Sequence, residues 1–419
     1  MKRLRHLLLL SFFALAIITT FSACASKQAN TSTNRVKITF WHGMTGDRKT
    51  ALNKIIRNFN ESQSKYQVVG SSQGDFASVQ QKITAAAKSK TLPTIAQTAY
   101  TNVPEYVRGG FITPFNSYIS KSDLSDIYPV FLQSSTYQGK YYAMPFSKSV
   151  RILFYNKDLL KKYGLSVPAT WTDIQKDGIK LKARGITAIA FDQSFLTELG
   201  GLCRQAGTPL LTNKLKTNLG KKQTLTATHV IWDMLQNGTA TTAGTDGYGS
   251  TNFFEGKTLF YSGSSAAIST LQASTPKNLH WSTTSLPSYK GKKSAGMAGN
   301  DIVMFKSASK SQRKGAAAFV KYLMSKKQTI SWAEKTGYVP LTKSAQKDTD
   351  YQNYLVKNPT AKAAVRSLSF GFQDPAFIGY EQYFSALNKS IGQMTANHVT
   401  PEKALGQLQV QIGKMDTQN

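Results

Sequence analysis

Short apolar runs alternate with longer segments of helical periodicity along most of the chain. An apolar run bounded by polar residues favours a strand, and apolar residues spaced three and four apart favour an amphipathic helix. The predicted strands are 36–41, 66–69, 152–155, 186–190 and 258–261, and the predicted helices are 48–60, 77–88, 171–184, 315–325 and 401–414. Strands that alternate with helices indicate crossover connections, so the sequence predicts an α/β fold with a mainly parallel sheet.

The folded part of the chain is larger than one hydrophobic core usually supports. About 380 residues follow residue 35, whereas single cores rarely extend beyond about 250–300 residues. No internal repeat is visible, so two domains of different sequence are expected.

The first residues favour export from the cytoplasm. Lys2, Arg3 and Arg5 precede an apolar run over residues 7–18. This run is too short to cross a bilayer comfortably, which is typical of a signal peptide. We therefore assign residues 1–23 as a signal peptide.

The end of this leader, Phe21-Ser22-Ala23-Cys24, resembles a bacterial lipobox. In that motif a signal peptidase cuts before the cysteine after a diacylglycerol has been attached to its sulfur, so Cys24 is the predicted lipid attachment site. Phe21 stands where leucine is usual, which leaves ordinary cleavage nearby or an uncut anchor as alternatives. Residues 24–35 are small and polar and predict a flexible tether, with the folded part outside the cell membrane.

Cys203 is the second of the two cysteines. If Cys24 carries a lipid, no intrachain disulfide can form, even on the oxidising side of the membrane. We interpret Cys203 as a small buried hydrophobic residue.

The chain is strongly basic. It holds 52 Lys and Arg against 22 Asp and Glu, a formal net charge of +30, and the excess is spread out without one dense block. Such a charge attracts a tethered protein to anionic lipid and cell-wall polymers. Nucleic acid is not an expected partner, because no Cys/His finger or RNA-binding aromatic signature is found.

The usual motifs of enzymes and metal sites are sparse. Neither a phosphate-cradling G-x-x-x-x-G-K-[ST] nor a G-x-G-x-x-G motif is present, and no cofactor or metal is expected. The histidines lack metal-ligand spacing; they are His6, His42, His229, His280 and His398. A glycosidase carboxylate pair can be neither proved nor excluded from the sequence. Aromatic residues do lie beside polar turns, at 141–147 and 337–340, and these suit a polar small molecule, although each is more often part of a core.

Several segments in a fixed order make the chain recognisable. They are residues 38–44, 145–149 leading into 153–158, 168–171, 254–257, 335–342 and 400–405. Together they resemble the solute-binding proteins of ABC importers that take up sugars and glycerol phosphates, and they are most similar to the glycerol-phosphate branch. The resemblance runs from about residue 36 to residue 408.

This resemblance implies two α/β lobes that close on a solute in the cleft between them, by a hinge. Applied to this chain, the first lobe holds residues 36–146 and 300–340. The second lobe holds residues 147–299 and 341–415. The protein is then expected to be a monomer that delivers its ligand to an ABC permease, and not an enzyme.

The resemblance also implies which residues contact the ligand. Ser149 and Ser264 match ligand-contacting serines, Gly299 matches a backbone contact, and Tyr338 matches a cleft tyrosine. Hydroxyls and closely approached backbone N–H groups suit phosphate or sugar oxygens.

Three further positions depart from the glycerol-phosphate branch. Phe76 stands at a tyrosine, Tyr100 at a glutamate that recognises glycerol hydroxyls, and Gln373 at the arginine expected on the phosphate. Losing that cation should cost about 2–5 kcal/mol of binding free energy to a phosphate. Lys148 or Arg366 could supply the charge instead, although both could equally be solvated surface cations.

Four functions therefore remain open. The first is capture of glycerol 3-phosphate or a glycerophosphodiester for an ABC importer, and the second is capture of an uncharged saccharide for the same kind of importer. A secreted hydrolase is a third, and an adhesin that holds anionic polymers by its charge is a fourth.

Overall fold

The computed structural model describes residues 35–243 and 247–415, and the side chains of residues 413–415 are not described. The predicted signal peptide, Cys24 and nearly all of the tether lie outside the described residues. Within the described part of the chain, no helix is both long enough and apolar enough to cross a membrane.

Thirteen strands are present in the described residues. They are β1 (Val36–His42), β2 (Tyr66–Ser72), β3 (Ile95–Ala99), β4 (Ile112–Thr113), β5 (Thr136–Tyr137), β6 (Lys140–Tyr141), β7 (Ala143–Asn156), β8 (Thr187–Phe191), β9 (Ala240–Thr242), β10 (Thr258–Ser264), β11 (Trp281–Ser285), β12 (Ala295–Phe305) and β13 (Gly371–Phe372).

Helices connect and cover these strands. They are α1 (Gly46–Glu61), α2 (Phe76–Ser89), α3 (Val103–Arg108), α4 (Lys121–Leu124), α5 (Pro129–Ser135), α6 (Lys157–Tyr163), α7 (Trp171–Lys182), α8 (Leu196–Gln205), α9 (Lys222–Gln236), α10 (Ser250–Phe254), α11 (Ile268–Ser274), α12 (Lys310–Met324), α13 (Lys326–Thr336), α14 (Lys343–Gln346), α15 (Thr349–Lys357), α16 (Pro359–Ser367), α17 (Tyr380–Ala396) and α18 (Pro401–Met415). Short 3-10 helices cover Tyr100–Asn102, Ser265–Ala267 and Leu368–Phe370.

One large sheet runs through the molecule in the order β2-β1-β3-β12-β7-β10-β8-β9. Its two ends are parallel, since β1 pairs with β2 and β3, and β8 pairs with β9 and β10, all in parallel. We call β2, β1 and β3 the first half-sheet, and β10, β8 and β9 the second half-sheet.

The centre of the sheet is antiparallel. Strand β12 pairs with β3 and β7, and β7 pairs with β10 and β11, all antiparallel. The prediction of an α/β fold is confirmed, but the prediction of a mainly parallel sheet was wrong. Two long strands that pass between the half-sheets in opposite directions make the sheet mixed.

Helix positions follow the apolar periodicity of the sequence. In α1 the buried residues are Leu52, Ile55, Ile56 and Phe59, spaced three and four apart so that they share one face. Helix α12 begins five residues before its predicted start. Ser309 and Gln312 form a capping box there, which satisfies backbone N–H groups of the first turn.

Cys203 lies in α8 with no solvent exposure. Burial raises the pKa of its thiol to about 12. The interpretation of Cys203 as a small buried hydrophobic residue is confirmed.

Candidate functional site

The two half-sheets meet along β7. The first part of this strand, up to Val150, pairs with β12, and the part from Arg151 to Asn156 pairs with β10 and β11. The register between β7 and β12 shifts at Asn300 and Asp301, as at a β-bulge. Because bulges bend a strand and redirect its side chains, this crossing is a natural place for a binding site. We call the surroundings of residues 147–151 the junction.

Two of the predicted ligand residues lie on facing strands at the junction, one residue out of register with each other. Ser149 pairs with Ala298, and Gly299 pairs with Lys148, on the facing strands β7 and β12. Gly299 has a φ of +121°, and a Cβ there would lie 1.9 Å from the carbonyl oxygen of Ser147. Only glycine fits this position, because the backbone of β7 fills the space that a side chain would need.

Ser264 and Tyr338 reach the same place from other elements. Ser264, at the end of β10, pairs with Arg151 of β7, and its hydroxyl accepts a hydrogen bond from the backbone N–H of Ala266 at 3.2 Å. The backbone N–H of Val339 donates to the Lys148 carbonyl at 2.8 Å, which holds the neighbouring Tyr338 beside β7. Four predicted positions therefore converge within a few residues of one strand.

The ring of Tyr338 is held in place by two neighbours. It stacks on Trp332 at 5.9 Å between centroids and an angle of 11°, and the guanidinium of Arg48 lies 5.6 Å from its centroid. Arg48 also donates to the carbonyl oxygen of Ala266 at 2.5 Å. A residue of α1 is thus linked to the segment that follows Ser264.

Tyr100 lies next to the junction, because Ala99 pairs with Asn300. Its ring centroid is 5.6 Å from Nζ of Lys148, and burial raises the pKa of its hydroxyl well above the ordinary value. The nearby charges of Asp374 and Asp301 raise this pKa further. Tyr100 therefore lies between the junction and the segment that contains Gln373.

Lys148 is enclosed within the protein. Its Nζ lies 2.6 Å from Oδ1 of Asp301, and both side chains have 0% exposure. Burial raises the pKa of Asp301, and the charge of Lys148 opposes that shift. Because Lys148 is already paired and has no open surface, this geometry argues against it as the cation that meets a phosphate.

Gln373 has an amide that is not satisfied by the protein. Its Oε1 and Nε2 are both buried and without a hydrogen-bond partner. Gln373 also lines a cavity of about 40 Å³, together with Val130, Gln133, Ser134, Thr136, Asp374, Pro375 and Ala376. Since buried polar groups are normally hydrogen-bonded, this amide is available to hydrogen-bond a polar group of a ligand.

Phe76 and Arg366 are not brought to the junction by any ring contact or hydrogen bond among the described residues. Phe76 begins α2, is 38% exposed, and packs its ring against the backbone of Gly43, where a Cβ would lie 2.6 Å from the ring. Arg366 lies exposed in the last turn of α16, where a cation stabilises the helix dipole.

Two arginines near the junction were not predicted. Arg151 is largely buried, with a side-chain exposure of 13%, and lies 2.7 Å from Asp192 and 2.6 Å from Glu198. The sequence did contain a signal for Arg151, since a cation in the middle of an apolar strand is unusual. Arg204, in the last turn of α8, contacts Asp374 at 2.8 Å. A cation at a helix end is common, so the sequence held no distinctive signal for Arg204.

The expectation that the chain has no G-x-S-x-G motif, the spacing of a serine-nucleophile elbow, is wrong, because Gly70 to Gly74 has this spacing. Its central Ser72 donates its hydroxyl proton to the carbonyl of Met44 at 2.9 Å. His42, the residue paired with Ser72, accepts the backbone N–H of Met44 at Nδ1. No hydrogen bond joins Ser72 to His42 in the described structure, so these residues do not form the pair that activates a serine nucleophile.

This architecture, a mixed sheet in two halves with a polar crossing between them, is that of a two-lobed solute-binding protein. A family model described as bacterial extracellular solute-binding protein matches residues 54–361, and the chain belongs to that family.

Two relatives align with most of this chain. The sn-glycerol-3-phosphate-binding periplasmic protein UgpB of Brucella melitensis is 28% identical over 346 residues, which cover 78% of this chain and 79% of the relative. The protein of the same description from Yersinia enterocolitica is 24% identical over 371 residues, which cover 83% of this chain and 84% of the relative.

Solved structures agree on the fold. UgpB from Mycobacterium tuberculosis in complex with glycerophosphocholine superposes with a TM-score of 0.81 at 21% identity, over 91% of this chain and 99% of that one. The cyclic alpha-maltosyl-1,6-maltose binding protein from Arthrobacter globiformis also gives a TM-score of 0.81 at 21% identity, over 90% of this chain and 97% of that one. The two-lobed α/β fold expected from the resemblance is confirmed.

Proposed function

We propose that this protein captures glycerol 3-phosphate or a glycerophosphodiester and delivers it to the permease of an ABC importer. The observation that carries the proposal is the convergence of Ser149, Ser264, Gly299 and Tyr338 on the junction. The curated relatives described as glycerol-3-phosphate-binding proteins support the same ligand class.

The junction is also the proposed hinge. Residues 36–146 and 300–340 form the first lobe, and residues 147–299 and 341–415 form the second, so β7 and β12 cross between lobes at the Ser147–Asn300 pair. Arg48 and Ala266 then belong to opposite lobes, and their 2.5 Å hydrogen bond forms when the cleft is closed. Hinge closure of this kind encloses a ligand and presents both lobes to a partner.

The chemistry of the site suits a small polar solute. Serine hydroxyls can donate to phosphate or sugar oxygens, and Gly299 lies beside Ser149 on the neighbouring strand. The Tyr338 ring is packed by Trp332 and Arg48, so its hydroxyl is the part that can hydrogen-bond a ligand. No group in this set is arranged as an acid, a base or a nucleophile, so the site binds and releases its ligand unchanged.

A saccharide is the second candidate, and two residues favour it. Tyr100 and Gln373 stand where a glutamate and an arginine are expected for a glycerol phosphate. Both are neutral groups that hydrogen-bond sugar hydroxyls. The maltose-type binding protein with the same fold is consistent with this alternative.

Thermal shift with three ligands separates these candidates. Glycerol 3-phosphate, glycerophosphocholine and maltose are each added to the purified protein. A ligand at a hundred times its Kd adds about 2.7 kcal/mol to the free energy of unfolding. A shift with a glycerophosphate supports the first proposal, and a shift with maltose alone supports the second.

The same samples test the hydrolase and adhesin alternatives. Chromatography of the ligands after incubation reports any turnover, which a binding protein does not produce. Binding to anionic polymer that disappears as salt is raised is the result expected of an adhesin, because exposed charges are screened beyond about 8 Å at physiological ionic strength.

The proposed location is the outer face of the cell membrane, with Cys24 as the lipid attachment site and the protein as a monomer. Cys24→Ala should release the protein from the membrane fraction. Mass spectrometry of the N-terminus is the direct measurement, and a lipid that persists on the variant would show that Cys24 is not the attachment site.

A further inference from the structure

A half-exposed cation lies beside the segment of Gln373. The guanidinium of Arg204 is 2.8 Å from Oδ1 of Asp374 and 4.2 Å from the ring centroid of Phe372. Its side chain is 24% exposed, against 0% for Lys148. Arg204 is therefore accessible to a ligand, whereas Lys148 is not.

The same segment connects Arg204 to the junction. Phe372 belongs to β13, which pairs with β12 at Gly296, three residues before Gly299. On the other side, Asp374 lies close enough to Tyr100 for its charge to raise the pKa of the Tyr100 hydroxyl, in addition to the larger effect of burial. Asp374 thus lies between Tyr100 and Arg204, and it contacts Arg204 through its carboxylate.

The packing around Phe372 fixes the guanidinium. Gly200 and Gly201 of α8 lie beside the ring, and a Cβ at these positions would be in ordinary van der Waals contact with it, at 3.4 Å and 4.0 Å. The ring thus packs against α8, where the cation–π contact orients the guanidinium of Arg204. An oriented guanidinium loses little further freedom when it binds an anion.

Arg204 retains unused donors. Its hydrogen bond to Asp374 involves Nη2 alone among the described contacts, whereas a guanidinium carries five N–H donors in a planar fork. The fork matches the geometry of a phosphate, which it can bind through two parallel hydrogen bonds.

We propose that Arg204 binds the anionic group of the solute, in place of the arginine that is absent at position 373. This inference rests on the proposed glycerophosphate function. Asp374 holds the guanidinium in position before the ligand arrives, and the unpaired amide of Gln373 binds a hydroxyl of the glycerol. The cation therefore reaches the phosphate from α8, and not from the C-terminal segment.

Calorimetry with glycerophosphocholine and maltose tests the assignment. Arg204→Gln should weaken glycerophosphocholine binding about 30-fold, because the charge-assisted hydrogen bonds to the phosphate are lost. Arg204→Lys keeps the charge but lacks the planar fork of donors, so its affinity for glycerophosphocholine should lie between those of the parent and of Arg204→Gln. Arg366→Gln is the matched control, since it removes an equal charge from an exposed helix end and should leave the affinity unchanged.

The outcomes separate this inference from the function on which it rests. If the unaltered protein binds glycerophosphocholine and Arg204→Gln binds it equally well, Arg204 is not the anion-binding residue, although the proposed function stands. If the unaltered protein binds maltose and no glycerophosphate, both fail. A thermal unfolding curve of Arg204→Gln that matches the parent excludes misfolding as the cause of a lost affinity, and Arg204→Lys gives a second test if it does not.

Discussion

Two ion pairs near the junction have similar distances but differ in exposure to solvent. Lys148 and Asp301 lie 2.6 Å apart with both side chains at 0% exposure, while Arg204 and Asp374 lie 2.8 Å apart at 24% and 32%. The first pair joins β7 to β12 where the strands cross. The second joins the end of α8 to the segment that follows β13.

Exposure, and not distance, decides what each pair can do. Two buried charges lose their hydration, so the pair adds little net stability, but the removal of one partner leaves an unpaired charge that is very costly. A pair near the surface is solvated and screened, and it typically contributes about 0–1 kcal/mol. We therefore assign the buried pair a structural role at the crossing and the half-exposed pair an exchangeable one.

The largest effect is expected from Lys148→Met. The change leaves Asp301 buried without its cation, and the free energy of unfolding should fall by about 3–5 kcal/mol. Urea denaturation followed by circular dichroism measures this loss.

The matched control removes both charges. Lys148→Met combined with Asp301→Leu should recover most of the lost stability, because neither residue is then an unpaired charge. A loss below about 1 kcal/mol in the single variant would show that the buried pair does not stabilise the crossing.

Gly299→Ala tests the backbone of the same crossing. The positive φ and the 1.9 Å approach to the Ser147 carbonyl should make alanine cost about 1–3 kcal/mol in strain, and the binding of any ligand should weaken. Gly392→Ala is the control. Gly392 lies inside α17 with open space around it, so alanine should stabilise the protein by about 0.5–1 kcal/mol.

The five helices and five strands predicted from the sequence all overlap observed elements, because apolar periodicity reports burial directly. The antiparallel centre could not be predicted. Strand β7 is buried on both faces for almost its whole length, so it lacks the alternation of a half-buried strand, and its Lys148 interrupts the apolar run. Strand β12 begins with small residues around Gly296 and Gly299, which are more typical of a loop.

Part of the candidate site could be predicted from the sequence, and part could not. The positions of Ser149, Ser264, Gly299 and Tyr338 came from short motifs that a family resemblance can match. The pairing of Lys148 with Asp301 depends on strand register across about 150 residues of sequence, which no local pattern encodes.

Arg204→Met tests the partly exposed ion pair, in comparison with the buried one. It removes a partly solvated partner of Asp374, so the free energy of unfolding should fall by less than about 1 kcal/mol, in the same urea experiment as Lys148→Met. A loss as large as that of Lys148→Met would contradict the exchangeable role, since Arg204 would then be essential to the fold.

The smallest effect is expected at a third, more exposed ionic contact. His229 of α9 lies 2.8 Å from Asp233 and 2.9 Å from Glu402 of α18. Hydrogen bonds to these carboxylates raise the pKa of His229 against the opposing effect of burial, and His229 lowers the pKa of Glu402. The contact therefore needs a protonated histidine and an ionised glutamate.

The direction of the pH dependence follows from these two shifts. The raised pKa of His229 gives a stabilisation that is complete below its ordinary pKa of 6.5 and is lost as the pH rises through the folded value. The lowered pKa of Glu402 gives one that is present above its ordinary pKa of 4.5 and is lost as the pH falls through the folded value. The difference in stability between the parent and His229→Gln should thus be largest between about pH 4.5 and 6.5, stay below about 1 kcal/mol, and shrink in high salt. A stability difference between the parent and His229→Gln that stays constant from pH 5 to pH 8 would mean that His229 holds α18 by packing alone. The charges at this surface would then contribute less than the small amount expected of the Arg204–Asp374 pair.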